Sequence, residues 1–177
     1  MERGLSKAWI VFLKSLQLAV YFIPLFILLL SIASPLLVFI AIKTKIDFIA
    51  LLSDETYYLL NHICHQLPSR SFWILGAPMG ICSRCTGLYL SFVLTYPFIV
   101  KKTKLYETKA YKLGVCLLIP VLVDGGTQWL DIRVSSNTIR FLTGFLGGIG
   151  LAMIAASVRL GIVGLISQRK KEVINQQ

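Results

Sequence analysis

The chain has 177 residues, of which 56% are hydrophobic and 15% charged, and its mean hydropathy is +0.75. A soluble domain carries about a quarter charged residues, so this composition excludes an ordinary water-soluble fold and indicates an integral membrane protein. The formal net charge is +10, but the lysines and arginines lie in short clusters between apolar runs. That pattern is typical of cytoplasmic loops, not of a nucleic-acid-binding surface. We therefore expect membrane lipid as a partner and no nucleic acid.

Four segments of the chain are long and apolar enough to cross a bilayer, which needs about 20 residues. They cover about residues 15–42, 82–100, 112–130 and 138–158. The outer loop 43–79 contains DETYYLLNHICHQL, which predicts an amphipathic helix that starts at Ser53 or Asp54 and ends near Pro68. The predicted fold is all-α: a single membrane domain over residues 1–177, with four transmembrane helices and a short amphipathic helix in the first outer loop.

The distribution of positive charge predicts the orientation of this bundle. Basic residues cluster in the amino-terminal segment, in the loop after the second span and in the carboxyl-terminal tail, at Arg3, Lys7, Lys14, Lys101, Lys102, Lys104, Lys109, Lys112, Arg169, Lys170 and Lys171. With four spans these three regions share one side, which the positive-inside rule makes cytoplasmic. We expect a multi-pass protein of the cell membrane, with both termini in the cytoplasm and the loops 43–79 and 131–137 outside.

Three of the four cysteines lie at the predicted outer face, in the motifs CHQLP at residues 64–68 and CSRC at residues 82–85. A Cys-x-x-Cys turn spaces two thiolates for one tetrahedral metal ion, and zinc sites combine such turns with further Cys or His ligands. Cys64 would be a third ligand, and the fourth position is open to His62, His65, water or a substrate. The remaining cysteine, Cys116, lies in an apolar run and is expected to be a small buried packing residue.

The same cysteines also fit other kinds of site. A closed zinc site would only fasten the outer loop to the bundle, and a disulfide between Cys64 and one cysteine of the pair would do similar work. Redox chemistry is a further alternative, because the start of a helix and the neighbouring Arg84 both favour the thiolate form.

A second cluster of polar residues lies at the outer ends of the third and fourth spans. Asp124 and Gln128 are four residues apart and share a helix face. Asp124 lies inside the apolar zone, where an ionisable group is costly and usually faces a partner or a cavity. Arg140, with Asn137 beside it, is the expected partner of Asp124. The alternative is an interhelical salt bridge that only fixes packing.

Two glycines on the fourth span follow this cluster. Gly144 and Gly148 form a small-x-x-x-small face, which predicts close packing against another helix.

Both clusters resemble a family of small archaeal and bacterial polytopic membrane proteins known as a domain of unknown function. Its pattern is Cys-His-Gln/Arg-x-Pro-x-Arg-Ser-Phe, then Cys-x-Arg-Cys-Thr-Gly-hydrophobic-Tyr, then Asp-Gly-x-x-Gln with an Asn-x-x-Arg continuation. Over about residues 60–150 this chain is similar at Cys64, His65, Pro68, Arg70, Ser71, Phe72, Cys82, Arg84, Cys85, Thr86, Gly87, Tyr89, Asp124, Gly125, Gln128, Asn137, Arg140 and Gly144. The resemblance favours His65 over His62 as a site residue. It implies no activity.

These observations together predict an outward-facing transition-metal site, most simply a Zn²⁺ site, beside a polar pocket. The expected metal ligands are Cys64, Cys82, Cys85 and His65. The residues expected to line the pocket are Asp124, Gln128, Arg140 and Arg70. In a catalytic site, zinc would activate water for attack on a small or lipid-linked substrate, with Asp124 as the base and the arginines holding an anionic group.

Two other function classes fit the same residues. A quinone-linked thiol–disulfide oxidoreductase also uses an outward Cys-x-x-Cys at a helix start, although such relays usually have a second cysteine pair and Cys64 alone is an incomplete one. A small transporter would use Asp124 as a relay, and its few helices would require an oligomer. The sequence leaves open whether the protein is an enzyme.

Overall fold

The structure, a computed structural model, describes residues 7–102 and 107–175. Arg3 and Lys104 of the predicted basic clusters lie outside the described residues. The described chain is mostly α-helical, which confirms the all-α prediction. Its elements in order are α1 Lys7–Thr44, α2 Asp47–Asn61, a 3-10 turn Pro68–Arg70, β1 Trp73–Ile74, β2 Ala77–Pro78, α3 Ser83–Lys102, α4 Glu107–Trp129 and α5 Asn137–Asn175.

Three helices of the described chain are long and apolar enough to cross a membrane, over Val11–Thr44, Lys109–Trp129 and Asn137–Ile162. They correspond to the first, third and fourth predicted spans. The second predicted span corresponds to α3, which has 20 residues but does not reach the same apolar standard. The reason is its composition, because α3 has Arg84 in its first turn, contains the polar residues Ser83 and Ser91, and ends in two lysines.

Glycines set the distance between α3 and α5, which form the most extensive helix contact of the structure. A Cβ atom added at Gly144 would lie against the backbone carbonyl of Arg84, and one added at Gly148 would lie against that of Leu88. Only glycine lets the two backbones approach this closely. The predicted small-residue face is therefore confirmed as a packing surface.

The amphipathic helix α2 starts earlier than predicted. It begins at Asp47, not at Ser53 or Asp54. Ser53 is buried inside the helix, and its hydroxyl donates to the backbone carbonyl of Ser34 in α1 over 3.4 Å. Serine is a common helix-capping residue, but Ser53 instead makes a contact between helices. This contact holds α2 against α1.

A two-stranded antiparallel hairpin follows the 3-10 turn, in a region where the sequence predicts only a structured loop. It pairs Trp73 with Pro78 and Ile74 with Ala77. The two turn residues Leu75 and Gly76 both have positive φ, at 51° and 85°, as a type I′ turn requires. Because leucine rarely adopts that conformation, the sequence carries no recognisable hairpin motif here.

The chain after the hairpin is fastened to α1. The Gly80 amide donates to the backbone carbonyl of Ser31 over 3.1 Å. A Cβ atom at Gly80 would collide with Leu60 and with the hydroxyl of Ser34. Ser31 and Ser34 are fully buried, so a small-residue patch on α1 receives the outer loop and holds it just before the second cysteine motif.

Cys116 is exposed on α4, so the prediction that it is buried is wrong. A Cβ atom at Gly114 would meet the backbone carbonyl of Gly150 in α5, which identifies the packed face of α4. Residues two positions apart on a helix point about 200° apart. Cys116 therefore lies on a different face from Gly114.

Candidate metal centre and arginine cleft

The three outer cysteines converge on one point. The Sγ atoms of Cys64, Cys82 and Cys85 all lie within 4.8 Å of one another. Tetrahedral zinc with Zn–S bonds of about 2.3 Å places its sulfur ligands about 3.8 Å apart. The three thiols therefore fit a single zinc ion after a small contraction of the group.

The cysteines are held there by the ends of two helices. Cys64 lies three residues after the end of α2, and its amide donates to the carbonyl of Leu60 over 3.0 Å. Its side chain is buried in an apolar cluster with Leu60 and Ile81. Cys82 immediately precedes α3, and Cys85 lies in the first turn of that helix. The motif thus begins a helix, as the sequence predicts.

Hydrogen bonds within the group favour a thiolate at Cys64. The Cys82 amide donates to the Cys64 sulfur over 3.2 Å. Hydrogen bonds with the thiols of Cys82 and Cys85 hold the pKa of Cys64 far below its usual range. Thiolate is the form that binds metal and the form that attacks a disulfide. The geometry is therefore compatible with either chemistry.

Neither histidine belongs to the thiol group of the described chain. The His65 side chain is exposed, although the residue lines the cleft that borders the cysteines. His62 is also exposed, and its Nδ1 atom lies 3.0 Å from the backbone carbonyl of Tyr58. The role of His65 as a fourth ligand stays a prediction.

Asp124 is paired with two arginines, but not with the one that the sequence predicts. The carboxylate is 2% exposed. Its Oδ2 atom accepts from Arg84 Nε over 3.1 Å, and its Oδ1 atom accepts from Arg133 Nη2 over 2.9 Å. The predicted pairing with Arg140 is wrong, because Arg84 enters from the first turn of α3 and lies over α4.

Arg140 is a buried cation whose hydrogen-bond partners are neutral. It is 4% exposed. Its Nη1 atom donates to Asn137 Oδ1 over 2.9 Å, and its Nε atom donates to Gln128 Oε1 over 3.4 Å. Within the described chain, the ion pairs of this cluster are those of Arg84 and Arg133 with Asp124. Arg140 therefore forms no ion pair with a carboxylate among the described residues.

Gln128 of α4 accepts hydrogen bonds from both Arg84 of α3 and Arg140 of α5. Its Oε1 atom also accepts from Arg84 Nη2 over 3.1 Å, and its Nε2 atom donates to Ser135 Oγ over 2.6 Å. Arg84 thus reaches both Asp124 and Gln128, which confirms that these two residues share one face of α4.

The thiol group and the polar cluster border the same cleft, whose volume is about 290 Å³. Both predicted clusters therefore meet at one end of the bundle. The residues of the two clusters that line the cleft are Cys64, His65, Cys82, Cys85, Arg70, Arg84, Gln128 and Arg140. Asp124 is not among the lining residues, although the sequence predicts it there, because it lies behind Arg84.

Arg84 and Arg133 are the residues of this network that the sequence analysis missed as partners of Asp124. Arg84 is 40 positions from Asp124 and on another helix, so no local spacing links the two. One signal was available, because an arginine in the first turn of an apolar helix needs a counter-ion. Arg133 lies in the loop 131–137, for which the sequence predicts only an outer location.

Comparison with known proteins places these residues in a family. The model of a family described as "Predicted membrane protein (DUF2085)" matches residues 64–154, more than half of the chain. The chain belongs to this family. The matched stretch begins at Cys64 and includes the cysteine motifs and the Asp124 network. The predicted resemblance to an uncharacterised membrane family is confirmed.

Two archaeal proteins are similar to this chain. An uncharacterized protein of Methanocaldococcus jannaschii is 41% identical over 105 residues, which are 58% of this chain and 67% of that protein. An uncharacterized protein of Methanothermobacter thermautotrophicus is 39% identical over 94 residues, which are 53% of this chain and 85% of that protein. No solved structure matches the chain.

Proposed function

We propose that this protein is a multi-pass membrane protein that holds a zinc ion in its thiol group and binds an anionic substrate group in the adjoining cleft. The observation that supports this function is the convergence of three thiols and three arginines on one cleft. The family match supports only the coarser statement that it is a membrane protein.

The metal part of the proposal rests on the fit of the thiol group. Cys64, Cys82 and Cys85 would hold the ion, and the Cys82 amide would orient the Cys64 sulfur through its hydrogen bond. Three protein ligands leave one position for a group in the cleft, which is the arrangement of catalytic zinc sites. Zinc bound there would supply Lewis acidity at the edge of the cleft.

The anion part of the proposal rests on uncompensated positive charge. Arg70, Arg84 and Arg140 line the cleft. The one carboxylate bonded to this cluster, Asp124, is already shared with Arg133. A buried guanidinium with neutral partners costs several kcal/mol, which an anionic ligand would offset. The planar fork of arginine suits phosphate and carboxylate groups.

Asp124 is proposed as a positioning residue, and the predicted role as a base is not favoured by its contacts. Both carboxylate oxygens accept hydrogen bonds from guanidinium groups. A carboxylate stabilised in this way is a weak proton acceptor. Asp124 would instead fix Arg84 at the wall of the cleft.

We propose that α3 is a fourth span and that both termini are cytoplasmic. The cleft is built at the start of α3, the end of α4 and the start of α5. The basic residues Lys101 and Lys109 lie near the end of α3 and the start of α4, which are the ends of these helices away from the cleft. By the positive-inside rule the cleft would then face away from the cytoplasm.

The rival function is thiol–disulfide exchange with a quinone, and the closeness of the Cys64 sulfur to those of Cys82 and Cys85 is the observation that favours it. Cys64 would form a disulfide with Cys82 or Cys85. The two thiols would lose two electrons and two protons, and these would reduce one quinone to its quinol. The small transporter of the sequence analysis also stays a prediction, since no contact of the described residues supports it specifically.

Cobalt substitution tests the proposed function. Co²⁺ bound by thiolates gives a sulfur-to-cobalt charge-transfer band, which we expect in the wild type and in the control Cys116→Ser but not in Cys64→Ser.

Inorganic phosphate tests the anion part. It should shift the band of the wild type at concentrations about tenfold lower than it shifts the band of Arg140→Gln, a difference in binding free energy of about 1.4 kcal/mol. Absence of the band contradicts the metal part, and a band that phosphate never shifts contradicts the anion part. Reversible loss of thiols that depends on quinone would favour the rival.

A further inference from the structure

Arg159 lies near the end of the apolar stretch of α5, at the end of the bundle away from the cleft. The Nε atom of Arg159 in α5 is buried and has no hydrogen-bond partner among the described residues. A buried donor without a partner is unfavourable, and more so when the group is charged. The Nε–H group of Arg159 therefore lacks an acceptor among the described residues.

Arg159 borders an apolar groove of about 270 Å³ between α1 and α5. Leu13, Leu16 and Val20 of α1 form one wall, and Tyr96 of α3 also lines the groove. Leu16 is 45% exposed. Apart from the guanidinium, the walls suit a hydrocarbon chain.

The position of Arg159 along α5 matches the depth of a lipid headgroup. At a rise of 1.5 Å per residue, about 28 Å of helix axis separates Arg140 from Arg159. The hydrocarbon core of a bilayer is about 30 Å thick. Arg159 lies one turn before Ile162, where the apolar stretch of α5 ends. The cleft and the groove therefore lie at opposite ends of the apolar stretch of α5, about one hydrocarbon thickness apart.

We propose that this groove binds one anionic phospholipid. The Arg159 guanidinium would donate to the headgroup phosphate, and an acyl chain would lie along α1 and α5. Basic sites between transmembrane helices are suited to anionic headgroups. A second copy of the chain fits the groove less well. The same end of that copy carries Lys101, whose positive charge would repel Arg159. The proposal is independent of the function proposed for the cleft.

Native mass spectrometry of the detergent-purified protein tests the site, with phosphatidylglycerol and phosphatidylcholine as the added lipids. We expect one retained phosphatidylglycerol per chain, and retention about tenfold weaker in Arg159→Gln. The charge-matched control Lys101→Gln removes an exposed cation from the same end of the bundle and should retain the lipid. Leu16→Trp keeps the charge but fills the groove from its exposed wall, so it should also reduce retention.

Three results would overturn the proposal. The first is equal retention of both lipids by the wild type, and the second is an equal loss in Arg159→Gln and Lys101→Gln. The third is a two-chain species that excludes added lipid from the groove. If Arg159→Gln does not fold, Leu16→Trp decides the question, because full retention of phosphatidylglycerol in that variant also contradicts the groove.

Discussion

Gly144 in α5 lies directly against the backbone carbonyl of Arg84 in α3. The side chain of the same arginine pairs with Asp124 in α4. One residue therefore joins three helices, with its backbone packed on α5 and its guanidinium fixed by α4. Because Cys85 is the next residue of α3, this contact also sets the position of the thiol group.

Gly144→Ala should separate α3 from α5. The added Cβ atom meets backbone, which cannot move aside as a side chain can, so we expect a loss of about 1–3 kcal/mol in the free energy of unfolding. Thermal or denaturant unfolding in detergent measures this loss. Gly126→Ala is the matched control, because nothing lies within 4 Å of its added Cβ atom. Equal stability of the two variants would contradict the packing.

Asp124→Asn should destabilise the protein more than Arg133→Gln does. The first change leaves the half-buried Arg84 without its carboxylate, and we expect a loss on the order of 2–4 kcal/mol. The second change removes a side chain that is 51% exposed, so its loss should stay below about 1 kcal/mol. The two unfolding midpoints, measured under the same conditions, give the comparison. The reverse order would show that Asp124 is not the centre of the network.

His65→Ala should leave the bound metal in place. His65 is exposed and lies outside the group of three sulfur atoms, so we expect its removal to change metal stoichiometry far less than Cys85→Ser does. Metal content per chain after gel filtration is the measurement. Loss of metal in His65→Ala to the same extent would instead make this histidine the fourth ligand.

Orientation can be tested with single cysteines at exposed positions. Ser69 lies in the loop beside the cleft, and Lys101 lies at the far end of α3. In intact cells, a membrane-impermeant maleimide should label Ser69→Cys above the background of the parent protein, and should label Lys101→Cys only after permeabilisation. The opposite pattern would place the cleft in the cytoplasm.

The sequence is sufficient to predict the long apolar helices and the meeting of the two clusters. Length and hydropathy define α1, α4 and α5, and the charged flanks predict that both clusters lie at one mouth. At two positions the residue type suggests a local role different from the one in the structure. Ser53 has the residue type of a helix cap but makes an interhelical contact, and Leu75 takes a turn conformation that its side chain does not suggest.

The partner of Asp124 could not be predicted, for a different reason. The choice between Arg84 and Arg140 depends on how α3, α4 and α5 are arranged around one another, and no spacing in the sequence encodes that arrangement. The glycine contact that fixes Arg84 becomes visible only when the helices are packed together.

The most direct test of the metal centre is elemental analysis combined with thiol counting on the intact protein, purified without chelators. We predict one zinc per chain, with Cys64, Cys82 and Cys85 protected from alkylation until the metal is removed, and with Cys116 of the membrane-spanning α4 counted separately in a Cys116→Ser control. Zinc far below one per chain, with Cys64, Cys82 and Cys85 freely alkylated in the folded protein or with two of them in a disulfide, would contradict the zinc site.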